Sequence, residues 1–367
     1  MLYFFVIGIF VLYAIYIIYF LTGLLRLKRQ PLIYSTMEPF VSVVIAARNE
    51  DDNIGNLVGD LIKQNYKKNK FEIIIVDDRS TDNTWNIINH FDQKYLQVRG
   101  IRITEKSKEM TPKKFALTSA IEQSKGNIII STDADCRVPK NWINSIANQF
   151  DEETGIVIGY SKIDTQDLSF LNNYQKIDFL TLMSANAGSS GWDLPWTGSG
   201  QNIAYKKEAF NKINGFKPVA DQISGDDFYL VQSISKISKA RYNARYDGAV
   251  KTQPMISWWS FLSQRTRWAS NARKLFNSDF FFLLFLFLNL FVNTILFCGL
   301  FIKSTWEYLP MLFGFKFLFD SLLVAYSSRL FKTPINFSTY IIWSLLQPIY
   351  TPVLGIVSMI GKYRWKD

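Results

Sequence analysis

The sequence predicts an α/β domain on an open sheet, held between membrane-crossing helices at its two ends. Three observations carry that prediction. Residues 2–25, LYFFVIGIFVLYAIYIIYFLTGLL, hold no charge and are long enough to span a bilayer, which takes about 20 apolar residues. Between residues 40 and 131, apolar β-branched runs alternate with segments of helical spacing. From Phe280 hydrophobicity returns, over 280–302, roughly 307–326 and 337–360.

Composition demands such segregation. With 48% hydrophobic residues the chain of 367 is too apolar for an ordinary soluble enzyme, and with 20% charged residues it is not membrane throughout. The first apolar stretch is too long for a signal-peptide core and lacks a small-residue cleavage site, so it reads as an anchor. RLKRQ follows at once and puts the next domain in the cytoplasm by the positive-inside rule. On that rule 280–302 exits, 307–326 returns and SSRLFKTP is cytoplasmic. A simple last span would leave the basic tail GKYRWKD outside. Gln347, Pro348 and Pro352 therefore point to a broken or re-entrant hairpin with a cytoplasmic tail. Cys136 lies in the domain and Cys298 in a membrane segment, which argues against a disulfide framework. His90, the one histidine, sits in the polar helical stretch WNIINHF as a surface residue, which argues against a Ser–His–Asp triad or a multi-histidine metal site. The net charge of +10 suits anionic headgroups or an anionic substrate without choosing between them.

In chain order, FVSVVIAARNE (40–50) has the pattern of a buried parallel strand. Over 51–66, Ile54, Leu57, Val58, Leu61 and Ile62 have helical spacing. FEIIIVDDRSTDNT repeats the scheme, a strand ending on two aspartates and then a polar turn with Asp82 as helix N-cap. FALTSAIEQSKG is a helix closing on Gly126 as C-cap, and NIIISTDAD is the next strand. This alternation implies right-handed crossovers and a sheet covered on both faces. Ligands of such sheets bind beyond the carboxyl ends of the strands.

ARNE, DDRS and DAD all follow strands, so a parallel sheet brings them to one rim. In STDADCRVP, Asp133 and Asp135 are like charges with no local partner, which is costly unless a cation or a proton lies between them. That pair alone leaves three readings: a solvated turn, a metal site or an acid/base pair. Three acidic ends on one rim favour a cation-assisted site for a charged ligand. No GxGxxG follows the first strand and no GxxxxGK[ST] occurs, which argues against dinucleotide and P-loop folds. Each remaining feature also has a plain reading. DDRSTDNT alone is a capped turn, GDDFYL is a helix start where acids suit the dipole, and Lys113 is one of a solvated pair with Lys114. ISWWSFLSQRTRW (256–268), with Trp258, Trp259, Phe261, Leu262 and Trp268 among arginines, suits a helix lying on a membrane surface. Lys316 and Asp320, four apart on a membrane helix, suit a structural ion pair.

The blocks VSVVIAARNE, IIIVDDRSTDNT, KKFALTSAI, TDADC, TGSGQNIAYKKEAF, GDDFYL and QRTRW stand in the order of the membrane-bound family 2 glycosyltransferases, which the chain resembles over about residues 38–275. The resemblance implies a GT-A fold, a Rossmann-like open mixed sheet, as a cytoplasmic domain with an interfacial helix near 255–275. It would lie between the anchor (1–25) and a C-terminal membrane region (280–360). It implies that Ala47 and Glu50 line the nucleobase pocket, that Asp78 contacts base or ribose, and that Lys113 lies near the nucleotide. Asp133 and Asp135 would be the DxD motif, holding Mg²⁺ or Mn²⁺ on the donor diphosphate. GDD at 225–227 stands for the family's Glu-Asp, which makes Asp227 the catalytic base. Asp226, Gln264, Arg267 and Trp268 would serve the diphosphate and acceptor, the last three matching QxxRW. The chain departs from the pattern at Ala46, where many members have proline, at Arg48, where many have tyrosine, and at Asp226, where glutamate is usual.

The chemistry agrees with these residue types. Breaking a sugar–diphosphate bond develops charge that a hard cation on oxygen ligands stabilises. Arg267 adds a planar donor fork suited to phosphate oxygens. A separate carboxylate, Asp227, takes the proton of an acceptor hydroxyl attacking from the opposite face, which inverts the anomeric centre. The expected activity moves one sugar from a UDP-linked donor to a lipid or lipid-linked glycan acceptor at the inner membrane. Its partners are the nucleotide-sugar, the acceptor and membrane lipids, without nucleic acid. Two alternatives stay open: a processive synthase of the cellulose, chitin or hyaluronan kind, and a non-catalytic membrane-associated binding protein that has kept the fold.

Overall fold

The computed structural model describes residues 2–30, 38–270 and 279–360. The elements in chain order are α1 (Leu2–Arg29), β1 (Val41–Ala47), α2 (Ile54–Ile62), β2 (Phe71–Asp78), α3 (Thr84–Lys94), β3 (Val98–Ile103), α4 (Pro112–Gln123), β4 (Ile128–Ser131), α5 (Trp142–Ala147), β5 (Thr154–Gly159) and β6 (Ser161–Ile163). There follow α6 (Phe170–Ser190), β7 (Ile203–Lys206), α7 (Lys207–Lys212), α8 (Asp226–Ile234), β8 (Lys239–Asn243), β9 (Val250–Thr252), α9 (Trp258–Ser270), α10 (Phe280–Gly299), α11 (Leu309–Leu330) and α12 (Phe337–Ile360). They form two compact units. The sheet unit takes the described residues of Arg29–Asp164 and Asp193–Gln253; the helical unit takes those of Met1–Lys28, Thr165–Trp192 and Pro254–Asp367.

Among the described residues the sheet has seven strands in the order β3-β2-β1-β4-β7-β5-β8, and β6 pairs with β9 apart from it. β3, β2, β1 and β4 run parallel, as the alternation predicts, while β7 is antiparallel to β4 and β5. The β-branched run of β1 accounts for its central place: Val41, Val43, Val44 and Ile45 are all fully buried. Register aligns the strand ends, with Ala47 opposite Asp77 and Val44 opposite Ser131. The residues that follow β1, β2 and β4 therefore leave the sheet at one edge. α2 buries Ile54, Leu57, Val58 and Leu61 as its spacing predicts, each contributing about 1.5–3 kcal/mol, but it stops at Ile62 rather than running to 66.

Two local expectations change. The N-cap position of α3 falls to Asn83 rather than Asp82, whose Oδ1 accepts from the Thr84 N–H at 3.0 Å in the turn before the helix. Gly126 is no C-cap, because α4 ends at Gln123 and Ser124 continues as extended backbone. Close approach to β1 explains the glycine instead: a Cβ there would lie 2.5 Å from Ser42 N, and Gly126 N–H donates to Ser42 Oγ at 2.8 Å.

In the helical unit α1, α10, α11 and α12 are each long and apolar enough to cross a membrane. α1 meets α6 backbone to backbone. A Cβ on Gly23 would lie 1.9 Å from Gly188 O, the kind of approach that small residues permit between apolar helices. α12 packs on α6, α9 and α10, and α11 packs on α6. The interruption expected within 337–360 is absent, since Pro348 and Pro352 both lie inside one continuous helix. Apolar helices tolerate proline because neighbours and local adjustments satisfy the carbonyls it frees. The tail 361–367, expected to be cytoplasmic, and residues 271–275 of the expected domain lie outside the described residues.

Lys316 and Asp320 form the ion pair their spacing predicts. Nζ is 2.5 Å from Asp320 Oδ2, both side chains are buried, and Tyr13 of α1 donates to Asp320 Oδ1 at 2.7 Å. Removing one partner strands a buried charge at a cost of about 3–5 kcal/mol. Lys316→Met is therefore expected to lower the melting temperature in detergent strongly, and Lys316→Met combined with Asp320→Leu to recover most of that loss.

Candidate active site

β4 ends at Ser131, so Thr132 to Asp135 form the loop beyond its carboxyl end. α4 begins on Pro112, a favoured first helical residue, and its second residue reaches that loop. Lys113 Nζ lies 2.8 Å from Asp133 Oδ1 and 3.9 Å from Asp226 Oδ2. Asp226 and Asp227 open α8, where unsatisfied N–H groups and the helix dipole favour acids. Gly225 before them has φ 90°, a left-handed conformation that side chains avoid. Asp227 Oδ1 accepts from Phe228 N–H at 2.8 Å, and Oδ2 from Gly200 N–H at 3.2 Å. Three chain segments thus converge around one ammonium: the loop after β4, the stretch before β7 and the start of α8.

Burial pushes the Asp227 carboxyl up to about 6, and the neighbouring Asp226 charge adds to the effect. Burial likewise pushes Asp135 up to about 6, with Asp133 and Glu50 contributing like charge. Burial alone would lower Lys113, but Asp133 and Asp226 outweigh it and raise its pKa, so the side chain is a fixed cation.

The neighbouring strand ends are stitched together. Asp77 and Asp78 are buried at the end of β2. Asp78 accepts from Arg79 through Nε at 2.8 Å and NH2 at 3.1 Å, and Arg48 lies 4.0 Å away. Ala47 is buried at the end of β1. Glu50 Oε2 accepts from the Asn53 side chain at 2.9 Å, and Glu50 N–H donates to Thr84 Oγ1 at 2.8 Å. Asn49, at φ 53°, accepts from Thr81 N–H at 2.9 Å and so ties the turn after β1 to the turn after β2.

The structure therefore brings Lys113, Asp133, Asp226 and Asp227 together, with Glu50 and Asp135 close enough to interact electrostatically. Ala47 and Asp78 stand at the adjoining strand ends. Lys114 is not a solvated companion of Lys113, because it is buried and donates to the Gln222 carbonyl, holding the loop before α8. Gln264, Arg267 and Trp268 belong to α9, in the helical unit. There the buried arginine is Arg265, with Nε 2.5 Å from Asp178 Oδ2 and NH1 2.5 Å from Gln264 Oε1. Its guanidinium lies 4.3 Å from the Trp268 ring centre, whereas Arg267 is half-buried. Sequence alone assigns no role to Gly200 and places Arg265 only among the arginines of an interfacial helix. The alternating glycines of TGSGQN and the first arginine of QRTRW are the signals that would have found them.

Among the described residues no group of three or more His, Cys, Asp or Glu is arranged to hold a metal ion. Asp133 and Asp135 supply hard carboxylate oxygens on one loop. That donor set fits a divalent cation bound through one or two carboxylates and completed by substrate phosphates.

Residues 42–214 match the model of glycosyl transferase family 2. The probable glycosyltransferase YdaM of Bacillus subtilis is 29% identical over 236 residues, which cover 63% of this chain and 54% of that protein. A beta-monoglucosyldiacylglycerol synthase of Synechocystis is 30% identical over 154 residues, 38% of this chain and 32% of that one. The chain spans about half or less of the length of these curated relatives. Among solved structures, the mannosyltransferase PcManGT of Pyrobaculum calidifontis, in complex with GDP-Man and Mn²⁺, superposes with a TM-score of 0.59 at 16% identity, covering 96% of this chain and 99% of that one. At that identity the likeness is one of fold. The chain thus carries a glycosyl transferase family 2 domain over residues 42–214, and its mixed sheet shares the fold of that mannosyltransferase.

Proposed function

We propose that the enzyme moves one sugar, with inversion, from a UDP-linked donor to a lipid or lipid-linked acceptor at the cytoplasmic face of a membrane. The observation that carries this reading is the convergence of Asp133, Asp226 and Asp227 on Lys113. Asp227, oriented by two backbone N–H groups, takes the proton of the attacking acceptor hydroxyl. Asp133 and Asp135 would hold Mg²⁺ or Mn²⁺, which when bound neutralises charge developing on the leaving diphosphate. Lys113 adds a fixed positive charge beside them. Ala47, Glu50 and Asp78 receive the base and ribose, while Asp226, Gln264, Arg267 and Trp268 serve the diphosphate and acceptor. Four long apolar helices among the described residues, and a relative named as a beta-monoglucosyldiacylglycerol synthase, support a membrane setting and a lipid acceptor. In that setting residues 1–25 are the anchor, 38–275 the transferase domain and 280–360 the C-terminal membrane region.

The test is a donor screen on purified protein with membrane lipid extract as acceptor, read by mass spectrometry. A single added sugar from a UDP-linked donor, lost in EDTA and restored by Mn²⁺, is expected. Turnover undiminished by EDTA would remove the metal, turnover of GDP-linked donors alone would replace UDP, and a long polymer would make the enzyme a processive synthase.

A further inference from the structure

We infer that Lys113 holds the cation position on Asp133 until the donor arrives, so that the divalent cation enters together with a nucleoside diphosphate. This rests on reading Asp133 and Asp135 as the metal pair. Lys113 Nζ lies at bonding distance, 2.8 Å, from the oxygen an incoming cation needs, and 3.9 Å from Asp226. Asp133, Asp226 and Asp227 all act on that ammonium, and with Asp133 and Asp226 unbridged their like charges would repel. Gly200 gives the ammonium its room: a Cβ there would lie 3.2 Å from Nζ, 3.9 Å from Asp133 Oδ1 and 4.0 Å from Asp226 Oδ2.

A bare dication meets Asp133 and Asp135 without a third His, Cys, Asp or Glu arranged to join them among the described residues, and a resident positive charge on Asp133. To bind Asp133 it must displace that ammonium from its 2.8 Å contact, and without nucleotide the lysine has no better partner to move to. A diphosphate changes both terms at once, because its oxygens complete the coordination sphere and its charge gives Lys113 a new partner. The lysine is thus a placeholder that keeps the acidic site assembled and makes metal uptake conditional on nucleotide.

Equilibrium dialysis of the full chain in detergent against Mn²⁺, with and without UDP or GDP, reads this without turnover. The wild type is expected to take up Mn²⁺ at least tenfold more tightly with nucleotide than alone. Lys113→Gln should gain about tenfold or more in uptake without nucleotide, and Lys113→Arg should behave as the wild type. The inference is overturned by wild-type uptake that is equally tight with and without nucleotide, or by a Lys113→Gln protein that gains nothing while still binding Mn²⁺ with nucleotide. A wild type that takes up no Mn²⁺ even with nucleotide overturns the metal reading itself, a separate and recognisable result.

Discussion

Asp227→Asn is expected to cut sugar transfer by about 10²–10⁴-fold, the span a positioned general base contributes, while raising the melting temperature at neutral pH. One cause produces both effects. Burial and the Asp226 charge hold the carboxyl up at about 6 in the folded chain, against an ordinary 3.8, so ionising it at neutral pH costs folding free energy. Linkage fixes the sign: the stability contributed by a raised acid is whole below the ordinary value and is lost as pH rises through about 6. Asparagine suffers no such loss, though its amide nitrogen cannot accept from the second N–H, which offsets part of the gain. The gain is on the order of 1–2 kcal/mol, less than the full shift implies because the side chain keeps some exposure. Melts repeated from about pH 8 down to about pH 5 should show the gain shrinking as the wild-type carboxyl takes up its proton. Wild-type turnover should decline over the same descent, since the base must be ionised. Full transfer by the variant would remove Asp227 as the base, and an unchanged melting temperature would show that its burial carries no cost.

Arg265→Met should destabilise the helical unit severely, whereas Arg267→Met should leave it folded. The side chains of Arg265 and Asp178 are 4% and 7% exposed, and losing the arginine strands the carboxylate at a cost of about 3–5 kcal/mol. The variant also loses cation–π contacts with Trp268 at 4.3 Å and Phe261 at 4.7 Å, each worth about 0.5–2 kcal/mol. Arg267 is only half-buried, so its replacement should change stability by about 0.5 kcal/mol or less, and a loss of transfer would then bear on its proposed role at the diphosphate and acceptor. Differential scanning in detergent reads the contrast. If the two variants melt alike, the Arg265–Asp178 pair is not what holds α9 to α6.

The central sheet was legible because buried parallel strands are continuous β-branched runs, and VSVVIA, IIIV and III stand out by composition alone. β5, β7 and β8 are short and mix directions, so no local pattern announces them. The site divides in the same way. DAD was visible because it sets two like charges one residue apart, and GDD only through its place in the family's order of motifs. What arrives from elsewhere was not, such as the Gly200 N–H that reaches Asp227 from 27 residues away. Tertiary contact also overrode local chemistry at Gly126, where the approach to Ser42 replaced the expected helix cap. Arg265 was within reach of the sequence, since Phe261, Arg265 and Trp268 recur at intervals of four and three on one helix face.

The two units share the chain in alternating pieces, three stretches in one and two in the other. Synthesis therefore delivers α1 first, then most of the sheet, then α6, the remaining strands and finally α9 to α12. α6 and α9 both pack on α12, and Tyr174 and Phe261, which also meet each other, each meet its Tyr350. Until residues 337–360 leave the ribosome, those two helices lack a face, however complete the sheet already is. Packing within the helical unit thus waits on residues 337–360, and a chain stalled before residue 337 leaves the α12-facing aromatic surface of α6 and α9 uncovered.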